Sequence, residues 1–225
     1  MRAFSFPWVA VGVLCTVLLS GCAGTSAGSP SAWETSSVPA QGPTDEATGG
    51  SAPAGSTSGV DPVDGGRCVD GEDVVVRGDA LSPVVTGMCG RVLLEGVGIT
   101  ARIDSARSVE VLGEDHHVSG GPWGGLTVEG QRTTVNGDVS GTVDVAGTEF
   151  ALTVTQPSQV TIRGEGTTLS ADEVTRLEVF GIDHTITAGT VAEVEVRGHN
   201  NTLTWSEGPK KAQVNEGDNK AVRTQ

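Results

Sequence analysis

The chain has 225 residues, with 33 glycines, four phenylalanines, four tryptophans and no tyrosine, and a formal charge of −14. So few large aromatics suit a thin core of small aliphatics better than a compact globular one. The charge excludes binding to nucleic acid or an anionic membrane by electrostatics, because phosphates need basic partners, and reads as a means of solubility.

Taken from its start, the chain opens on an export signal. Arg2 supplies one positive charge, and residues 4–19 are almost wholly apolar. That run is shorter than the roughly 20 residues a membrane-spanning helix needs. A positive start, a short apolar core and small residues at its end describe a secretory signal over residues 1–21. The end, Leu19-Ser20-Gly21-Cys22, resembles the lipobox of bacterial lipoproteins. The resemblance implies cleavage before Cys22, lipid on Cys22, and a protein held by that lipid at the outer face of the cytoplasmic membrane.

Residues 22–67 then read as the lipidated cysteine and a tether rich in Gly, Ser, Thr, Ala and Pro, with Trp33 as its one aromatic. Such a composition cannot bury enough apolar surface to offset the entropy of ordering. Cys15 would leave with the signal and Cys22 would carry lipid. That leaves Cys68 and Cys89 as an even pair in an exported chain, where a disulfide persists. Two cysteines with no nearby histidine pair are a poor metal site.

The ordered domain is expected over residues 68–225, and it is built on a repeat. Glycines fall at 78, 96, 113, 130, 147, 164, 181 and 198, a first step of 18 residues and then six of 17. A fixed period of this kind marks a stacked-repeat architecture. Two residues before each of these hinges stand Val76, Leu94, Val111, Val128, Val145, Ile162, Val179 and Val196. Four before stand Val74, Val92, Val109, Leu126, Val143, Val160, Leu177 and Val194. Alternating β-branched residues read as a half-buried strand. Five after the hinge come Val118, Val135, Leu152, Leu169, Ile186 and Leu203, and ten after come Ala106, Trp123, Pro157, Val174 and Val191.

Three inward sets per period, the strand pair before the hinge and the columns five and ten after it, predict a roughly three-sided coil with glycine at a corner. The constant spacing favours stacking like over like, and no Asn-Gly hairpin turn recurs at the hinge. The fold class is therefore all-β, a single-stranded parallel β-solenoid of about 17 residues per coil and 8–9 coils. The crossover rule makes right-handed winding the expectation. At roughly 4.8 Å per coil the rod is about 40 Å long. Around Gly217 the inward pair becomes Gln213 and Asn215, a polar terminal coil that would stop end-to-end stacking.

Gly198-His199-Asn200-Asn201-Thr202-Leu203, the following Gly208-Pro209-Lys210 and Gly217-Asp218-Asn219, and the paired Cys68 and Cys89 resemble the domain of unknown function 3060 family of actinobacterial secreted lipoproteins. The resemblance implies export and lipidation but brings no activity and no functional residues. The Asn pair is not general to the repeats: Gly164 is followed by Glu165-Gly166-Thr167, and Gly113 by Glu114-Asp115-His116.

Three patterns are candidates for chemistry. Asp115-His116 and Asp183-His184 could each serve as ligands or as acid and base. They lie four coils apart, roughly 19 Å of stacking, and read as polar turn residues in one slot. Glu178 and Glu195 occupy one outward slot on adjacent coils, about 5 Å apart, near the carboxylate spacing of a retaining glycosidase. They read as part of a flat solvated face compensated by Arg163 and Arg197. The third pattern is an outward array of hydroxyls, in which Thr134, Thr168, Thr185 and Thr202 stand four after the hinge, and Thr187 and Thr204 six after. Threonine is a good exposed strand residue and pairs well with itself. The same array could also present a binding face.

The sequence thus predicts a cell-surface lipoprotein, a rigid repeat rod acting as a binding or structural module. It is expected to be no enzyme and to hold no cofactor or metal. Its partners are expected to be the membrane through Cys22 and a cell-wall glycan or envelope protein. The rival is a polysaccharide-acting β-helix enzyme.

Overall fold

A computed structural model describes residues 66–69 and 71–224. The expected signal, Cys22 and nearly all of the tether lie outside them. The described residues form a parallel β-solenoid of about nine turns without a helix. Its strands are β1 (Val74–Arg77), β2 (Val84–Val97), β3 (Thr100–Glu114), β4 (His117–Gln131), β5 (Thr134–Thr148), β6 (Ala151–Val154), β7 (Gln159–Glu165), β8 (Thr168–Ile182), β9 (Thr185–His199), β10 (Thr202–Glu207), β11 (Val214–Glu216) and β12 (Lys220–Arg223).

Every strand pairs in parallel with the strand one coil away, mostly at a step of 17 residues, and this register stacks the hinge glycines from Gly96 to Gly198 on one another. The 18-residue first step is absorbed in β2, where the register slips between Val85 and Met88 and Gly87 takes φ 89°. The split between β6 and β7 falls at Gln156-Pro157, where proline removes a ladder donor.

The columns four and two before the hinge are buried in every coil, as is the column five after it from Ala101 to Leu203. Ala106, Trp123, Pro157, Val174 and Val191 are buried as well, which completes the expected set. Where Ser140 would continue that column, a register shift puts Val139 inside instead.

The core is fuller than these four columns. Seven after the hinge, Ile103, Val154, Ala171, Ala188 and Trp205 also face inward. In two intervening coils this slot holds Gly120 and Gly137, and a Cβ on Gly137 would run into the indole of Trp123. The absent side chain at Gly137 makes room for the ring, whereas a Cβ on Gly120 would meet the Ile103 backbone. Three after the hinge, Ile99, His116, Thr133, Phe150, Thr167, His184 and Asn201 are all buried. Burial along β8 alternates, then shows two exposed residues in a row at two places, Asp172-Glu173 and Thr175-Arg176. With the hinge these give three bends per coil, the expected three-sided section.

The hinge requires glycine for a steric reason. Gly164 has φ 120°, and a Cβ on it would sit against the backbone carbonyl of Gly147 one coil below, 2.9 Å from the carbonyl carbon. Two residues on, the chain is left-handed again, at Asp115, Arg132, Glu149, Asp183 and Asn200 (φ 48–60°). Asn and Asp tolerate this region better than most residues.

The disulfide joins Cys68 to Cys89 with Cα atoms 5.2 Å apart and ties the segment before β1 to β2. At the other end Gln213 and Asn215 are exposed, and Gln213 Oε1 accepts the Val194 N–H at 2.6 Å. The last coil is polar, as the sequence predicts.

Candidate functional site

The solenoid register sets the hydroxyl array. Alternation sends every second side chain outward, so residues four and six after the hinge share the outer face, and the residue between them is buried. Thr168 pairs with Thr185 and Ser170 with Thr187, and Thr185 pairs with Thr202 and Thr187 with Thr204. The columns continue through Ala151 and Thr153 to Thr134 and Asn136. Thr168, Thr185 and Thr187 are exposed, and Thr134, Thr202 and Thr204 are half-buried. Thr187 Oγ1 lies 3.4 Å from Thr204 Oγ1, and Thr204 Oγ1 donates to Ile186 O at 3.3 Å.

Ten outward positions over five coils, 134 to 204, carry no charge in a chain of net charge −14. Nearer the N-terminus the same columns hold Arg102 and His117. The face is bordered by acid: a depression along the hinge corner is lined by Gln131, Thr148, Glu149, Glu165, Gly166 and Asp183.

Glu178 and Glu195 are in register on adjacent coils, as expected. Their surroundings differ from the sequence reading. They are not openly solvated, with side chains only 17% and 21% exposed. Arg197 binds Glu195 and also Glu216 at 3.0 Å. Glu178 is bound by Arg176 at 2.6 Å, not by Arg163. That ion pair raises the Arg176 pKa above its ordinary value. Arg163 instead lies near Asp144 and over the ring of Phe180, which Arg197 covers from the other side. The neighbouring depression is lined by Arg176, Leu177, Glu193, Val194, Glu195 and Gln213, with no aromatic among them.

The Asp-His pairs require a larger correction. They occupy one slot, as predicted, but both histidines are buried, and neither ring is hydrogen-bonded to its aspartate. Asp115 and Asp183 are exposed, whereas His116 and His184 are 2% and 0% exposed. Asp115 is held by Arg132, at 2.7 and 3.0 Å, and this contact keeps its carboxyl below the usual range. Asp183 accepts from the Asn200 amide. Among the described residues no group of three or more His, Cys, Asp or Glu side chains is placed to hold a metal ion.

The buried histidines solve a backbone problem. The left-handed residue before this slot breaks the ladder, and the slot's own N–H needs a partner, since a buried unpaired N–H is costly. The next coil supplies one from its side chain in the same slot. Ile99 N–H donates to His116 Nδ1 at 3.2 Å, Thr167 N–H to His184 Nδ1 at 3.1 Å, and His184 N–H to Asn201 Oδ1 at 3.0 Å. Asn201 Nδ2 in turn donates to Gly181 O at 2.9 Å.

Five of the six residues of the Gly-His-Asn-Asn-Thr-Leu string, all but His199, are thereby explained. Gly198 makes the hinge, Asn200 takes the left-handed turn, Asn201 caps the coil below, Thr202 faces out and Leu203 faces in. It is a corner motif. Sequence reading missed this inward column because its members share hydrogen-bonding ability or bulk, not hydrophobicity. Ile99 and Phe150 in the slot were the available signal.

No curated protein and no solved structure matches the chain significantly. Residues 162–219, which contain this corner motif, match the family of proteins of unknown function DUF3060, the family that the sequence resembles.

Proposed function

We propose that this protein is an exported, lipid-anchored rod whose uncharged hydroxyl face is a contact surface for the cell envelope. The observation that carries the reading is the face itself: ten outward positions from 134 to 204 free of charge and in register, in a chain of net charge −14. A repeating neutral partner such as a cell-wall glycan suits it. Each hydroxyl contact is weak, and repetition along the coils sums them. Cys22 provides the membrane attachment, and residues 23–67 the reach from the membrane. The role is non-catalytic. In support, Glu178 and Glu195 are each engaged by arginine, and the depression beside Glu195 has no aromatic wall against which a sugar could stack.

The test replaces Thr168, Thr185 and Thr202 together by Lys. All three side chains point outward, so the fold survives. Association with the envelope, beyond what the lipid anchor gives, is expected to fall. Unchanged association of a folded triple variant would overturn the reading.

A further inference from the structure

We propose that His116 and His184 make the stacking of two coils acid-sensitive, because each buried ring serves as a neutral hydrogen-bond acceptor for the backbone of the coil below. The tautomer follows from the partners. Nδ1 of each ring receives an N–H, from Ile99 and from Thr167, and so carries no proton. The His116 Nε2 lies 3.1 Å from the Leu112 carbonyl, which can only accept, so the proton is on Nε2. His184 Nε2 is turned toward the equivalent carbonyl, that of Phe180, outside good hydrogen-bond geometry. A second proton goes to Nδ1. It would then point at an N–H, donor against donor, in a site without water access. The corner must open or the ring must leave.

The surroundings do not relieve this. There is no spare room beside the rings: a Cβ on Gly113 or Gly181 would lie 2.9 Å from Nε2 of His116 or His184. At the His184 corner the charged neighbours are Asp183 and Glu165, while Thr167 below and Asn201 above are neutral. At the His116 corner, Asp115 and Glu114 are both bound by Arg132, and Ile99 below and Thr133 above are neutral. Burial holds the His184 pKa below its ordinary value of 6.5, against the weaker opposing pull of the Phe180 carbonyl and Asp183. A depressed histidine pKa means that the unfolded or opened chain binds the proton better. At the His184 corner the stabilisation is therefore complete above about pH 6.5 and lost as pH falls below it toward the folded-state value.

The protein carries its own control. In the next coil Asn201 does the same work with an oxygen that does not titrate. His116→Asn and His184→Asn thus keep an acceptor and remove the proton site.

The experiment is amide hydrogen exchange on the full-length protein from pH 8 to pH 4, corrected for intrinsic rates. Protection at the Thr167 amide is expected to fall below about pH 6.5, by up to about tenfold per pH unit, and protection at the Ile99 amide is expected to fall on acidification because its acceptor is lost in the same way. H184N flattens the response at Thr167 and leaves that at Ile99, and H116N does the reverse. Flat protection at both amides of the wild type would overturn the proposal without recourse to any variant. So would a pH response that survives both substitutions, which would indicate general acid unfolding.

Discussion

The hinge glycines give the sharpest quantitative expectation, because the fold contains a matched control. Gly164→Ala places a methyl group where φ is 120° and where the Gly147 carbonyl already lies, with the carbonyl carbon 2.9 Å from the new Cβ. The conformation alone costs a non-glycine residue about 1–3 kcal/mol. The obstacle is backbone in a stacked ladder, so neither coil can yield without losing hydrogen bonds, each worth about 0.5–1.5 kcal/mol net. Together these give a loss of about 4 kcal/mol, which for a domain of this size lowers Tm by about 8–16 °C.

Gly125→Ala is the control. Gly125 is half-buried, its φ is not in the left-handed region, and the nearest atom to a new Cβ is Thr142 O at 3.5 Å. Removing a glycine at a compatible site is neutral or stabilises by up to about 1 kcal/mol, through the unfolded chain. Thermal and urea unfolding of the two variants, followed by circular dichroism, separates the cases. Equal stability of G164A and G125A would refute the stacked-corner reasoning.

Three further expectations concern the core, the corner and the staple. Val143 is fully buried and Asp144 beside it faces out with Arg163 at 3.7 Å, so Val143→Asp is expected to cost several kcal/mol and Asp144→Val less than about 1 kcal/mol; urea midpoints that coincide would mean the faces are assigned wrongly. Asn201→Ala leaves the buried His184 N–H without its acceptor and is expected to cost about 1–3 kcal/mol, against little for Asn200→Gly at φ 58°; the reverse order in denaturant titration would contradict the capping role. Reduction of Cys68–Cys89, which closes a separation of 21 residues, is expected to cost about 3 kcal/mol; intact mass with and without reductant, paired with melting, checks both bond and effect.

Much of the fold was legible because the strand columns are chemically uniform. Eight aliphatics four before the hinge and eight two before it state both the period and the inward face, and all sixteen are buried. The hydroxyl face follows from the same parity, since residues flanking the Val118-to-Leu203 column must point outward. What stayed hidden lies where packing is decided by shape or hydrogen bonding. The slot seven after the hinge runs from Gly137 to Trp205 because a large indole in one slot, Trp123, is accommodated by a missing side chain in another. The slot three after the hinge accepts His, Thr and Asn because it is buried beside an unpaired N–H. Read singly, His116 and His184 look like surface polar residues. The Arg176–Glu178 pairing was equally out of reach, since Arg176, two residues away, and Arg163, on the neighbouring coil, both lie near Glu178 and side-chain geometry chooses between them.

Contact between the hydroxyl face and the envelope is the proposal that decides the function. The most direct measurement is site-specific photocrosslinking in intact cells, with the reactive residue at Thr185 on that face or at exposed Glu129, just before the Gly130 hinge. Envelope adducts are expected from position 185 and few from position 129. Equal adducts from both, or adducts from position 129 alone, would contradict the proposal.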